Sequence, residues 1–291
     1  MTPALHTNRR VVAESCPLCG AARWTVLTDA DETGYEWVRC ECAVVFKRSE
    51  PELPGSSDAT LGDVETHYDP AYFARYARRR RRRIAKSRWQ ILDALEAAPQ
   101  GRLLDVGCSL GYALEAARSL GLDAAGVDLS AHAVDACKRL GFEAQRGTLD
   151  ALPFDDASFA MAVLKHVFEH TATPRRTLAE LRRVLVPGGA MFLAVPHAGY
   201  FKAVRSPSTS RFFRGEAARA HFVYYSPRTL GRLVEQEGFR VVSIHPRLFH
   251  RRASLPLRLA DAAMLPFRVP VRALADAFGL RKEFWMVAVR R

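Results

Sequence analysis

The chain has 291 residues, 48% of them hydrophobic and 25% charged, with 43 Lys and Arg against 31 Asp and Glu for a formal net charge of +12. Those proportions exclude a disordered or fibrous chain, and this length suits one main domain with a small appended module. No stretch offers the ~18 uninterrupted apolar residues of a spanning helix, and the positive balance bears on solubility and non-specific association, not on fold.

Residues 1–12 contain no apolar run long enough for a signal peptide, so a cytoplasmic protein is expected. Four of the six cysteines then cluster as Cys16-Pro17-Leu18-Cys19-Gly20 and Arg39-Cys40-Glu41-Cys42. In a reducing compartment such a cluster suggests a metal before disulfides. Cys108 and Cys137 stand apart from it. Composition divides the chain into a Cys-bearing module over 1–48, a connector over 49–66 rich in Pro, Gly, Ser and Asp, and a main domain over 67–291.

The pattern over 72–97 is helical, with Ile84, Trp89, Ile91, Leu92 and Leu95 as candidate core positions. The consecutive arginines 78–83 wrap around that helix and cannot all face one partner, which predicts a solvated face. Short apolar strands over 102–106, 124–128, 142–146, 159–164 and 190–195 then alternate with helical patterns over 112–120, 131–140 and 174–185. Such alternation predicts an α/β fold with a parallel sheet and helices on both faces. Ser226 as N-cap, Pro227 at the first position and Gly238 as a stop predict a helix over 227–237. A strand over 239–245 follows, then an insert over 246–282, then a last strand over 284–289. The insert alternates Arg with Leu, Val, Phe and Met, a composition for peripheral membrane contact or for a lid over an acceptor pocket.

The segment Leu103-Leu104-Asp105-Val106-Gly107-Cys108-Ser109-Leu110-Gly111 is a strand running into a Gly-rich turn that opens a helix. Gly107 and Gly111 allow close backbone approach to a ligand, and the helix N-terminus offers unpaired N–H groups. Asp128 ends the next strand, where a carboxylate can accept hydrogen bonds from both hydroxyls of a ribose. The turn reads D-x-G-x-x-x-G and lacks the glycine that lets a pyrophosphate settle on the helix, so a nucleoside without phosphates fits better.

These segments resemble those of the class I S-adenosylmethionine-dependent methyltransferases, particularly the small-molecule branch. The likeness runs from about His67 to the C-terminus. It also rests on Gly126-Val127-Asp128-Leu129-Ser130, Leu152-Pro153-Phe154-Asp155-Asp156-Ala157-Ser158-Phe159, His166-Val167-Phe168-Glu169-His170 and Arg183-Val184-Leu185-Val186-Pro187-Gly188-Gly189. The resemblance implies a Rossmann-like seven-stranded, mostly parallel sheet with one antiparallel strand, and N-terminal lid helices over 67–98. It implies S-adenosylmethionine as cofactor, with Asp105, Gly107 and Gly111 around the methionine portion and Asp128 on the ribose hydroxyls. Cys108, Ser109 and Leu129 are further expected cofactor-binding residues. Thr148 and Leu149 fall near the adenine, where the family usually has an Asp and a small residue. Lys165 and His166 close the fourth strand beside the reactive sulfonium, and Tyr68 and Tyr72 resemble the aromatic lid segment.

His166 and His170, four apart, could share a helical face, making either a candidate base, with Glu169 nearby. The cysteine module resembles the zinc ribbon that some of these methyltransferases carry, with Cys16, Cys19, Cys40 and Cys42 as ligands of a structural Zn²⁺. Its second knuckle is C-x-C and lacks the following Gly, so its geometry is strained or one ligand is lost. Residues 196–221, including His197, Tyr200, Phe201, Arg205, Phe212 and Phe213, are expected to shape the pocket for a small metabolite, sugar or lipid-linked acceptor. No basic strand is interleaved with aromatics, so nucleic acid is not the expected partner. Two rival readings are a non-catalytic cofactor-fold binding protein with a zinc ribbon, and a serine hydrolase in which G-x-S-x-G makes Ser109 the nucleophile. The hydrolase reading leaves Asp105 and Asp128 unexplained.

Overall fold

A computed structural model of the chain describes residues 9–51, 70–244 and 281–291. Tyr68, most of the connector and nearly all of the 246–282 insert lie outside the described residues. Elements are numbered in chain order. The N-terminal module holds β1 (Arg9–Val11), β2 (Trp24–Thr28), the short helix α1 (Ala30–Thr33), β3 (Glu36–Cys40) and β4 (Val45–Pro51). The main domain begins with α2 (Pro70–Ala77) and α3 (Arg80–Leu95). It continues through β5 (Leu103–Val106), α4 (Tyr112–Ser119), β6 (Ala124–Asp128), α5 (Ala131–Arg139), β7 (Glu143–Arg146) and β8 (Phe159–Lys165). After a 3-10 turn at Phe168–His170 come α6 (Pro174–Val184), β9 (Leu185–Pro196), α7 (Phe201–Arg205), α8 (Gly215–Ala220), β10 (Val223–Tyr224), α9 (Pro227–Gln236), β11 (Phe239–Ile244) and β12 (Glu283–Arg290).

The main sheet has seven strands in the order β11-β12-β9-β8-β5-β6-β7, as the resemblance implied. β5 pairs in parallel with β6 on one side and β8 on the other, while β12 runs antiparallel to both β9 and β11. Chain order therefore reverses between β5 and β8, and in open α/β sheets ligands bind outside the carboxyl ends of the strands at such a switch point. Alternation of side chains sorts the strands into two cores. Leu104, Val106, Ala162, Leu164, Met191 and Leu193 face one layer. Leu103, Met161, Val163, Ala190 and Phe192 face the other. With both faces covered, the strands carry the near-continuous apolar runs that made them legible.

The helical pattern over 72–97 is interrupted at Arg78 and Arg79, a turn between α2 and α3. Like charges three and four apart destabilise a helix, and Arg79 caps α3 with no side-chain hydrogen bond. Arg78 to Arg82 are exposed, as a solvated run should be, but Arg83 is not: it is half-buried, with its guanidinium 3.5 Å from the centre of the Tyr76 ring. At α9 the cap is as expected. Ser226 Oγ accepts from Thr229 N at 3.2 Å, Ser226 N donates to Thr229 Oγ1 at 2.8 Å, and Gly238 adopts φ 86° beyond the helix end.

The N-terminal sheet takes a strand from the main domain, because β10 pairs with β4 through Val223↔Phe46 and Tyr224↔Val45. One apolar cluster runs from Cys16, Leu18, Val38 and Phe46 into Leu104, Phe168 and Tyr225. Lys47 is buried at this junction. Its Nζ meets Glu50 Oε2 at 2.6 Å and donates to Ala218 O at 3.1 Å and Arg219 O at 3.0 Å, so the charge has three acceptors. Among the described residues no helix is long and apolar enough to cross a membrane.

Candidate functional site

The turn after β5 is built from backbone that disfavours ordinary side chains. Gly107 and Gly111 both have φ 74°, and Ser109 has φ 48°. A Cβ on Gly107 would lie 2.4 Å from Val167 Cγ2, so the position needs glycine for its backbone angle and for its space. Gly107 N and Cys108 N donate to Val127 O at 2.7 and 3.1 Å, which ties the turn to the end of β6. There Asp128 Oδ2 accepts from Ser109 N and Oδ1 from Ser130 N, each at 2.9 Å. Burial pushes the Asp128 carboxyl up, against the lowering effect of these N–H groups. Each oxygen keeps lone-pair capacity for a further donor.

A cavity of about 360 Å³ opens over this turn, at the carboxyl ends of β5, β6 and β8. Of the residues singled out in the sequence, Gly107, Ser109, Asp128, Leu129, Thr148, Leu149, Lys165, His166 and His170 line it. Three others support it from behind. Asp105 is buried in β5, Gly111 caps α4, and Cys108 turns into the core with its Sγ 3.6 Å from Cys137 Sγ. Gly126 makes room for Cys108, since a Cβ there would sit 2.8 Å from the Cys108 Cβ and Sγ. The aromatic wall comes from Phe73 and Tyr76, three apart on α2, with Arg83 beyond them. Of the two tyrosines expected in the lid, Tyr68 lies outside the described residues and Tyr72 falls on α2, the helix that carries Phe73 and Tyr76. Tyr76 also stacks on Tyr112, ring centroids 5.3 Å apart.

Buried charge surrounds the far wall. Burial raises the Asp105 carboxyl and lowers the Lys165 ammonium, and each partly offsets the shift of the other. Lys165 Nζ donates to Ser87 Oγ at 3.0 Å, joining β8 to α3. His166 has φ 55°, an uncommon backbone for a non-glycine residue. Its Nε2 meets Glu283 Oε2 at 2.7 Å and its Nδ1 faces Glu169 Oε1 at 3.3 Å. Burial opposes a charge on His166, yet the two carboxylates outweigh it and push the imidazolium up to about 9. Both ring nitrogens of His166 thus face carboxylate oxygens. His170 Nδ1 donates to Ala220 O at 3.0 Å. Glu283 was not read as part of the site, because 117 positions separate it from His166.

The Ser109 hydroxyl, which the hydrolase reading needs activated by a base, has no hydrogen-bond partner among the described residues.

All four clustered cysteines converge. One sulfur from each lies within 4.8 Å of the other three, with Cys16 Sγ to Cys42 Sγ at 3.6 Å and Cys19 Sγ to Cys40 Sγ at 3.5 Å. Tetrahedral Zn–S bonds of ~2.3 Å require sulfurs roughly 3.8 Å apart, so the donor set fits that ion. The strain expected of the second knuckle falls on one residue. Ala43 takes φ 72°, where the first knuckle has Gly20 at φ 73°. Ala43 N donates to Cys40 O at 2.8 Å, which closes the knuckle with all four sulfurs still together.

Residues 76–244 match the family model described as a methyltransferase domain. Among curated relatives, a demethylmenaquinone methyltransferase of Renibacterium salmoninarum is 34% identical over 40% of this chain and 52% of its own length. A trans-aconitate 2-methyltransferase of Pseudomonas paraeruginosa is 31% identical over 46% of this chain and 48% of its own. An uncharacterized protein of transposon TN4556 from Streptomyces fradiae is 36% identical over 36% of this chain and 33% of its own. The chain thus spans about a third to a half of these relatives. Two solved structures share the fold: a putative methyltransferase in complex with the Trm112 activator from Haloferax volcanii, and an S-adenosylmethionine-dependent methyltransferase from Archaeoglobus fulgidus. The first has TM-score 0.54 at 22% identity, over 78% of this chain and 97% of the other. The second has TM-score 0.52 at 18% identity, over 76% of this chain and 100% of the other.

Proposed function

The chain belongs to the methyltransferase domain family, and on that premise we propose that it transfers a methyl group from S-adenosylmethionine to a small-molecule acceptor. The observation that carries this reading is the pairing of Asp128 with the Gly107 turn across one cavity of about 360 Å³, within the size range of small-ligand sites. Asp128 would accept the ribose hydroxyls, and the turn's backbone would face the methionine portion, with Asp105 and Lys165 behind it. Thr148 and Leu149 would border the adenine, and Phe73 and Tyr76 would close the outer wall. The cofactor supplies an electrophilic methyl on a sulfonium. The protein's task is then alignment of the acceptor and exclusion of water. Names of relatives such as demethylmenaquinone and trans-aconitate methyltransferases support a small acceptor. Sugar and lipid-linked acceptors fit the same reading. Isotopically labelled S-adenosylmethionine incubated with fractionated host metabolites is expected to label at least one of them in a protein-dependent way. Labelling no greater than in the protein-free control in every fraction would count against enzymatic transfer.

We also propose that Cys16, Cys19, Cys40 and Cys42 hold a structural Zn²⁺, which would give a module with so small a core its stability. The sulfur spacing supports it. A left-handed conformation costs a non-glycine residue ~1–2 kcal/mol, part of which glycine returns through unfolded-state entropy. Ala43→Gly is therefore expected to keep one zinc per chain and to gain about 1 kcal/mol, raising Tm by roughly 2–4 °C. Metal analysis and thermal unfolding check both parts. Absence of stoichiometric zinc from the parent protein refutes the ribbon.

A further inference from the structure

Behind the His170 wall lies a second group of metal-ligating side chains. Glu169, His170 and His221 each bring one ligand atom within 4.8 Å of the other two. Glu169 and His170 belong to the 3-10 turn after β8, and His221 sits between α8 and β10. The two segments are held together by Phe222 N donating to Glu169 O at 2.8 Å and by His170 Nδ1 donating to Ala220 O. We propose that Glu169, His170 and His221 form a binding site for a divalent transition-metal cation.

Three observations carry the assignment. First, the Glu169 carboxylate is completely buried, and neither of its oxygens has a hydrogen-bond partner among the described residues. Oε1 has the charge of His166 at 3.3 Å, but Oε2 has no comparable neighbour. A buried carboxylate oxygen left unmatched is costly, and a cation is the direct remedy. Second, both histidines already spend Nδ1. His170 gives it to Ala220 O, and His221 gives it to Tyr224 Oη at 2.9 Å, which itself donates to Phe212 O. Metal-ligating histidines are oriented in this way, one ring N–H held by a backbone carbonyl or other acceptor and the opposite nitrogen left for the ion. Third, the two imidazole rings lie edge to face with centroids 4.7 Å apart, close enough for one ion to reach both.

Two imidazoles and one carboxylate with open positions suit a divalent ion of the manganese-to-zinc series, and do not suit a thiolate-seeking one. His170 also lines the cavity. An ion at this site therefore borders the cavity assigned to the cofactor, and an acceptor oxygen entering beside His170 could complete its coordination. This last role rests on the methyltransferase reading, whereas binding of the ion does not.

The test uses Mn²⁺ and the full chain. Mn²⁺ favours oxygen and nitrogen over sulfur donors, so the cysteine cluster does not compete. Loss of the free Mn²⁺ electron paramagnetic resonance signal is expected at about one ion per chain, and the bound ion should show spin-echo modulation from imidazole nitrogen. Glu169→Gln and His221→Gln are each expected to weaken binding at least tenfold, of the order seen when metal-site partners are lost. Titration of the same samples with S-adenosylhomocysteine reports separately on the cofactor site. An undiminished free Mn²⁺ signal with the parent protein overturns the proposal. So does bound Mn²⁺ without nitrogen modulation, or parent-like affinity in either variant that keeps its fold.

Discussion

A Gly107→Ala protein is expected to be destabilised by ~2–5 kcal/mol, or to fail to accumulate folded, because one added methyl meets two separate obstacles. The backbone at this position has φ 74°, which costs an alanine ~1–2 kcal/mol. The new Cβ would also lie 2.4 Å from Val167 Cγ2, an overlap of the kind that costs ~1–3 kcal/mol in packed interiors. The two contributions separate in a double-mutant cycle. Val167→Ala removes the colliding atom and leaves the backbone angle unchanged, so Gly107→Ala should cost less in that background by the packing share alone. Denaturant unfolding of the four proteins checks this. Equal costs of Gly107→Ala in both backgrounds would mean that the close approach of the turn to Val167 is not real.

The second large effect concerns Asp128. Replacing it by Ala removes the acceptor of Ser109 N and Ser130 N as well as the proposed partner of a ribose. Hydrogen bonds to an ionised group are worth ~1.5–3 kcal/mol. The affinity for S-adenosylhomocysteine is therefore expected to fall roughly 10- to 100-fold. Asp128→Asn keeps one acceptor oxygen, which can serve Ser109 N or Ser130 N but not both as the carboxylate does, and an intermediate loss follows. Zinc content should be unchanged in either variant, because the cysteine cluster shares no hydrogen bond with Asp128.

Much of the main domain was legible because its strands are buried on both faces. Runs such as Leu103–Val106 and Phe159–Lys165 then stand out against the amphipathic helices between them. Asp128 was legible for a related reason: a carboxylate closing an apolar strand has few structural excuses. What escaped the sequence is non-local. The two-residue strand Val223–Tyr224 has no periodicity to read, yet it completes the N-terminal sheet and fuses the module to the domain. Glu283 reaches His166 from the far end of the chain, and together with Glu169 it favours the charged imidazole. Arg83 was indistinguishable from its five exposed neighbours until the break at Arg78 and Arg79 turned it toward Tyr76. The missing glycine of the second cysteine knuckle was visible in the sequence. Only the backbone revealed that Ala43 absorbs the strain and that all four sulfurs still meet.

The most direct measurement is calorimetric titration of the unaltered protein with S-adenosylhomocysteine, run beside Asp128→Ala. Saturable binding of one ligand per chain, weakened by the substitution, is the expected result. No binding to the parent, or the same affinity in both proteins, would contradict the assignment of this cavity to an adenosine cofactor.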